Sequence, residues 1–327
     1  MKCAVIRQCG DDVGNLVIEE RPDLRAEGEN IRVRVTAAAL NRADLLQRRG
    51  LYDPPPWAPQ DIPGLEFAGV VDGRGDSVRS WKGGERVMGL VAGGAYAEQV
   101  ITHERAVVPV PEGMSDTDAA AIPEAFITAH DALVSQGGMM PGDLVLVHAV
   151  AGGVGSAAVQ LVHLWGASPI GTAGSDAKLE AIARIVSFFP VNYRKEDFHH
   201  VIEDAFGPHT VDLVLDVVGA AYWERNLSLL RDRGALVLVG LMGGAKAMTP
   251  LGEILRRRLR IMGTVLRPRP LEEKIAATKA FARQVLPHLA QGRLMPVVDS
   301  VFPFAQLHEA TMRMERNENT GKIVLRM

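Results

Sequence analysis

Cysteine is nearly absent. Of 327 residues only Cys3 and Cys9 carry a thiol, too few for a disulfide framework or a multi-cysteine zinc site. Long apolar runs are missing too, because Gly, Pro or a charged residue interrupts each one before membrane-spanning length. The first residues, Met1 to Arg7, read as a short strand and not as a signal peptide. No charge of one sign dominates: the formal net charge is −3, so no global field recruits nucleic acid or an anionic membrane. The one basic run, Arg256-Arg257-Arg258 with Arg260, reads as a solvated helix end. Internal repeats and low-complexity segments are lacking as well. These absences leave a cytoplasmic, soluble protein as the simplest account. What is present is ordinary for a globular chain, 47% hydrophobic and 23% charged, and the length suits two domains.

The most informative stretch is His148-Ala149-Val150-Ala151-Gly152-Gly153-Val154-Gly155. It follows the apolar run Leu144–Val147, which reads as a buried parallel strand, and precedes Ser156–Trp165, whose apolar residues recur at helical spacing. Strand, glycine-rich turn and helix form the context in which such a motif holds a dinucleotide pyrophosphate. The glycines let the backbone turn tightly, and the helix N-terminus offers unpaired N–H groups and a positive dipole end. Alternatively, the glycines merely pack helix against strand.

The texture of the chain changes twice. Up to about residue 120, short β-type segments (Cys3–Ile6, Asn30–Ala37, Gly69–Asp72, Arg86–Leu90, Tyr96–Thr102) are punctuated by Gly and Pro, which suggests a partly open β-barrel. From about residue 123, strands at Leu144–Val147, Ala167–Gly171, Val211–Leu215 and Ala235–Gly240 alternate with helices at 156–165, 176–184, 197–205 and 222–232. That alternation predicts a doubly wound parallel sheet. After Gly263 it stops: a long helix over Glu272–Leu289 and strands at Val297–Phe302 and Lys322–Leu325 follow. The expected division is 1–122 for the first domain, 123–262 for the second, and 263–327 as a return to the first. Nine histidines are scattered through the chain. The adjacent pair His199-His200 falls on an expected surface helix, with no partner at metal spacing.

Several stretches together carry a family resemblance. They are Ala39–Leu45, Gly50–Pro56, Ala121–Ala125, the glycine turn, Ala173-Gly174-Ser175 with Lys178-Leu179, Asn192–Asp197, Gly240–Gly244 and Gly321–Val324. Over its whole length the chain resembles the quinone oxidoreductase branch of the zinc-independent medium-chain dehydrogenase/reductases, of the p53-inducible quinone oxidoreductase and zeta-crystallin type. The resemblance implies an α/β protein with a GroES-like β-barrel domain and a Rossmann domain. It also implies NADPH-dependent reduction of small or polycyclic quinones, by hydride or stepwise one-electron transfer. One region departs from the family. Around Ala183–Pro190 the usual turn glycine is missing, and Phe188-Phe189 replace small residues.

Zinc relatives carry Cys where this chain has Asn41, and a Gly-His-Glu where it has Gly64-Leu65-Glu66. Catalytic zinc takes Cys, His or carboxylate ligands with one open position, so the resemblance implies a metal-free site. Without a metal to polarise an alcohol, hydride delivery to an electron-poor acceptor is the chemistry left.

Cofactor choice follows from the end of the second Rossmann strand, where NAD-preferring folds place an acid. Here Gly171–Ser175 has none. Family matches put Gly174 and Ser175 where they make room for a 2′-phosphate, with Lys178 and Tyr193 contacting it, while Asp176 is an unfavourable neighbour. The pyrophosphate falls to Ala151, Gly152, Gly153, Val154 and Gly155. Gly240, Leu241, Met242, Val265 and Leu266 are implied around the nicotinamide, Thr128 on the nicotinamide side or the substrate, and Asn319 on the nicotinamide phosphate arm. Simple core packing is the alternative for Leu241 and Met242.

On the acceptor side the resemblance implies catalytic roles for Asn41 as an amide donor to a quinone oxygen, Asp44 as an orienting group, and Tyr52 as a donor or stacking partner. Arg267 is a further donor. Helix capping by the Asn41–Asp44 pair, and packing of Tyr52 on Pro54–Pro56, are the bland alternatives. Two rival functions remain: an enoyl or alkenal double-bond reductase, and a non-catalytic NADPH-binding protein. A homodimer joined edge to edge through the Rossmann sheets is expected, with a small-molecule quinone as substrate and no nucleic acid or membrane partner.

Overall fold

The computed structural model describes residues 1–327. The chain divides into two units, Met1–Ile127 with Leu266–Met327, and Thr128–Val265. The C-terminal stretch therefore does return to the first unit. The crossings lie after Ile127 and Val265, a few residues beyond the positions expected at 122 and 262.

The first unit is built on a seven-stranded sheet. Its order is Val298–Pro303, Lys322–Arg326, Asn30–Ala39, Glu66–Arg74, Arg86–Leu90 and Val107–Pro109, and Gln99–His103 also pairs with Asn30–Ala39. The pairing is antiparallel except between the first two strands. Along Asn30–Ala39 the pattern has period two. Ile31, Val33 and Val35 are buried while Arg32 and Arg34 point outward, as a sheet with one solvated face requires. Phe67, Val71, Val87 and Tyr96 complete that core, closed by Leu307, Ala310 and Met314 from the helix Leu307–Glu315. A separate two-stranded ribbon pairs Lys2–Ile6 with Leu16–Glu20.

The second unit is a six-stranded, wholly parallel sheet in the order Phe189–Asn192, Ser168–Ala173, Leu144–Val147, Val211–Asp216, Leu230–Leu238, Arg260–Gly263. The first strand in the chain, Leu144–Val147, sits mid-sheet, with later strands laid out to either side. This is the doubly wound arrangement, whose ligand position lies beyond the carboxyl ends of the strands where the order reverses. The glycine turn emerges from that strand at that reversal. No helix in either unit is long and apolar enough to cross a membrane.

Candidate functional site

The nucleotide-binding part forms in the second unit, beyond the strand Leu144–Val147. The backbone turns through Ala149 in a left-handed conformation (φ +52°), and the helix Gly153–Leu164 opens with Gly152 as its N-cap and no capping side chain. The first N–H groups of a helix have no intrahelical carbonyl, so Gly153, Val154 and Gly155 present theirs with the positive dipole end. Gly155 is sterically required: a Cβ there would stand 2.3 Å from the Ala149 carbonyl oxygen. The packing role and the phosphate role are therefore properties of one turn, and the residues present fit a dinucleotide pyrophosphate.

Beneath the turn runs a buried polar network that sequence reasoning missed. His148 is wholly buried. Its Nε2–H donates to Asn226 Oδ1 at 2.8 Å, and its Nδ1 lies 3.0 Å from the Thr172 hydroxyl, which donates to it. The carbonyl acceptor on Asn226 dictates that tautomer. Asn226 Nδ2 donates in turn to Asp216 Oδ2 at 3.2 Å, and Asp216 Oδ1 receives the N–H groups of Val218 and Gly219. Burial pushes the imidazole pKa down, which keeps it neutral. The network ties together the carboxyl ends of three central strands, so it fixes the floor on which the turn rests.

At the end of the second strand, Ser175 caps the helix Asp176–Ala183, its oxygen accepting from the Lys178 N–H. The Tyr193 hydroxyl lies 2.7 Å and the Arg194 Nε 3.3 Å from where a Cβ on Gly174 would sit. Any side chain at 174 would collide with that tyrosine, and Arg194 adds a cation that the sequence reading did not single out. Asp176 is neutralised locally. Its carboxylate takes an ion pair from Lys195 and a 2.7 Å hydrogen bond from Asn192 Nδ2, which hold its pKa down. The unusual Phe188 is accommodated by Gly171. A Cβ there would lie 2.7 Å from the Phe188 ring, and the strand leading to Tyr193 keeps its register, with Val191 opposite Thr172.

Gly240–Gly244 forms a turn held by backbone bonds from Met242 to Val217 and from Gly243 to Val218. Leu241 and Met242 are 51% and 56% exposed, so core packing does not account for them. Val265 is half exposed, and Thr128 is buried in the short helix Thr128–His130, flanked by π-helical turns at Pro123–Ile127 and Asp131–Gln136. In the first unit Leu266 is buried, and Asn319 donates its amide to the Gly321 carbonyl at 2.7 Å, closing its own turn.

The acceptor-side residues belong to the first unit, where three neighbouring strands bring a buried ion cluster together. Lys322 Nζ lies 2.6 Å from each of Glu66 Oε1, Asn41 Oδ1 and the Leu40 carbonyl. Asn41 Nδ2 donates to Glu66 Oε1 at 3.0 Å and to the Ala39 carbonyl at 3.2 Å, while Glu66 Oε2 receives the Glu124 N–H. Both amide hydrogens of Asn41 are thus committed, which corrects the expected donation to a quinone oxygen. The side chain instead anchors strand to helix.

Asp44 is equally committed. Its carboxylate receives the Asn41 N–H (2.8 Å), the Gly64 N–H (3.2 Å) and the Tyr96 hydroxyl (2.7 Å). Burial lifts the pKa of both acids, Asp44 and Tyr96. This is the capping arrangement of the helix Arg42–Arg48, extended into the core. Arg267 spends its guanidinium on the Ala92 carbonyl, the Tyr52 carbonyl and Gln47 Oε1 (2.8, 3.1 and 2.5 Å) and lies 5.1 Å from the Tyr52 ring centroid. The Tyr52 ring therefore rests on Arg267, and its hydroxyl pKa is pushed up by burial.

One correction concerns His199-His200. Glu203 lies a turn further along the helix Phe198–Phe206, and the ligating atoms of the three side chains all fall within 4.8 Å of one another. A partner at metal spacing therefore exists. The His199–Glu203 contact at 3.4 Å also accounts for the cluster as a helical ion pair. The basic run departs from expectation as well: Arg257 is buried against Glu253 and the Leu227 carbonyl, while Arg258 turns left-handed at the helix end.

Comparison with known proteins agrees with this geometry. Residues 27–112 match the alcohol dehydrogenase GroES-like domain, and residues 188–325 match the family described as zinc-binding dehydrogenase. Human synaptic vesicle membrane protein VAT-1 homolog is 34% identical over 90% of this chain and 78% of its own length. Bovine quinone oxidoreductase-like protein 2 is 30% identical over 97% and 90%. The crystal structure of Escherichia coli quinone oxidoreductase complexed with NADPH superposes with a TM-score of 0.89 at 27% identity, covering all of both chains. The two-unit architecture agrees with these relatives, and the chain belongs to the medium-chain dehydrogenase/reductase oxidoreductases, in their zinc-independent quinone oxidoreductase branch.

Proposed function

We propose that this chain reduces quinones with NADPH and without a catalytic metal. The observation that carries the reading is the Lys322–Asn41–Glu66 cluster. At the positions where zinc relatives hold ligands, this chain offers an amide, a leucine and a carboxylate already paired with an ammonium. A second cation beside Lys322 would meet direct repulsion in a buried setting. The donor set therefore supports chemistry on an acceptor that is electron-poor without Lewis-acid help.

The choice of NADPH is supported by Tyr193 and Arg194 packed against Gly174, by Ser175 and Lys178 on the first turn of the helix that follows, and by the pairing of Asp176 with Lys195. A 2′-phosphate gains charge-assisted hydrogen bonds there. Bound NADPH supplies the hydride. Gly152, Gly153, Val154 and Gly155 receive the pyrophosphate, with Ala151 shaping the turn. Thr128, Gly240, Leu241, Met242 and Val265, all of the second unit, hold the nicotinamide. Tyr52 stays protonated through the working pH range and donates to the acceptor oxygen. Asn41 and Asp44 are positioning residues that fix the helix Arg42–Arg48 and the loop after it. Preorganised placement of this kind supplies most of the rate in a hydride transfer.

The protein works in the cytoplasm as a homodimer. The exposed Cys9 and buried Cys3, both free thiols, suit a reducing compartment. The test is cofactor oxidation at 340 nm with NADPH and NADH against an ortho-quinone and an α,β-unsaturated aldehyde. Fast loss of NADPH with the quinone, unchanged by EDTA, is the expected result. Preference for the aldehyde would make the chain an alkene reductase, and tight NADPH binding with no turnover would make it a non-catalytic binding protein.

A further inference from the structure

The first unit contains a second set of polar groups that the binding roles above leave unused. A narrow cavity with room for about one water molecule is lined by Leu65, Glu124, Leu266, Arg267, Lys274 and Thr278 among others. Lys274 stands in the first turn of the helix Leu271–Gln284, and its Nζ lies 4.2 Å from the centroid of the Trp57 ring. Trp57 belongs to the same proline-rich loop as Tyr52, whose ring rests on Arg267. Two cation–ring contacts thus fasten that loop to the segment 267–274, and they bring an ammonium and a phenol to one loop.

We propose that Lys274 is the acid that supplies the proton consumed when the acceptor is reduced. The inference rests on the reductase reading. Quinone reduction takes up two electrons with the hydride and one further proton. As the acceptor oxygen gains its O–H bond, an N–H bond of Lys274 breaks, and the neutral amine then regains a proton from solvent. Tyr52 does not suit that task, because its burial favours keeping the proton.

The charged groups facing Lys274 are Glu124, from the π-helical turn, and Arg267, with the Trp57 ring on the remaining side. Burial, aided by Arg267, pushes the ammonium down to about 8, while Glu124 works against the shift. An acid near the operating pH is the efficient kind. The sign of the linked stability follows. The ordinary lysine value is 10.5, so between about 8 and 10.5 the unfolded chain holds a proton that the folded one has released. Folding stability relative to Lys274→Met therefore rises with pH across that window.

The experiment combines a pH profile with a readout that needs no cofactor. In the wild type, kcat/KM for quinone should be flat to about pH 8 and then fall tenfold per pH unit. Lys274→Met should lower the plateau on the order of 100-fold and abolish the fall, and Lys274→Arg should move the fall beyond pH 10. Independently, labelling of the cofactor-free protein with an amine-reactive dinitrophenyl reagent, read by peptide mass mapping, should show Lys274 reacting with a midpoint near pH 8. A wild type that turns over quinone with a profile unchanged by Lys274→Met would overturn the acid role alone, as would an ordinary labelling midpoint. A wild type that turns over no acceptor would overturn the reductase reading and this inference together.

Discussion

At the scale of single residues, the proposed 2′-phosphate contacts are the sharpest case. Lys178 brings a point charge and the Tyr193 hydroxyl a neutral donor, and any side chain at Gly174 would have to displace that hydroxyl. Replacing Lys178 with Ala and Tyr193 with Phe together should raise KM for NADPH at least tenfold and leave that for NADH nearly unchanged. Steady-state kinetics with the two cofactors checks this, and equal losses would remove the phosphate assignment. Arg194 refines the expectation: with it intact, some preference for NADPH should survive the double change.

Lys322 makes the opposite kind of residue, one whose work is internal. Glu66 is fully buried, and its charge is answered by Lys322. Breaking a buried pair by removing one partner typically costs about 3–5 kcal/mol, because the other charge is left uncompensated. Lys322→Met should therefore lower the urea midpoint sharply, and adding Glu66→Gln should recover much of the loss. If the single variant were as stable as the wild type, the cluster would not be the anchor described here.

At the scale of elements, the glycine turn shows how far local sequence reaches. Apolar run, small-residue turn and periodic helix were all readable, and the strand Leu144–Val147 falls where expected. Gly155→Ala should raise the Kd for NADPH more than tenfold by calorimetry, since the new methyl would meet the Ala149 carbonyl and displace the donors; an unchanged Kd would mean that the turn can relax. Other elements were less legible. The expected helix over Glu272–Leu289 is two helices, Leu271–Gln284 and Leu286–Ala290. Pro287 has no N–H to continue the ladder, though it is well tolerated at the start of a new helix. The strand Phe189–Asn192 was missed because a proline lies within it, and a proline in a run argues against a strand. At the sheet edge it is allowed. For Asn41 and Asp44 the family resemblance implied catalytic roles, while the residues alone read as a cap of the short helix Arg42–Arg48, which is the arrangement present. Glu66 accepts an amide hydrogen of Asn41 and Lys322 donates to the Asn41 oxygen; both are distant in sequence, and no local pattern carries that information.

At the scale of the whole molecule, the six-stranded sheet ends in Arg260–Gly263, an edge strand bonded on one side alone to Leu230–Leu238. Such an edge offers a row of unpaired N–H and C=O groups, and natural proteins either block it or use it. Just before it, the helix Leu251–Arg257 exposes Leu251 and Leu255 at 73% and 81%, and Met248 is 87% exposed. Exposed apolar side chains grouped beside an open edge are what a second copy of the sheet would cover, whereas isolated ones call for no explanation. Sedimentation equilibrium at micromolar protein should therefore return the mass of two chains, twice 35.3 kDa. Leu251→Lys with Leu255→Lys should shift the equilibrium to one chain without loss of the folded circular dichroism signal. Those two side chains are solvated in a single chain, so the change costs little within the fold and acts on the interface. A wild type that sediments as one chain would leave the edge strand to some other form of protection, and a charged variant that remains a dimer would move the interface away from this edge.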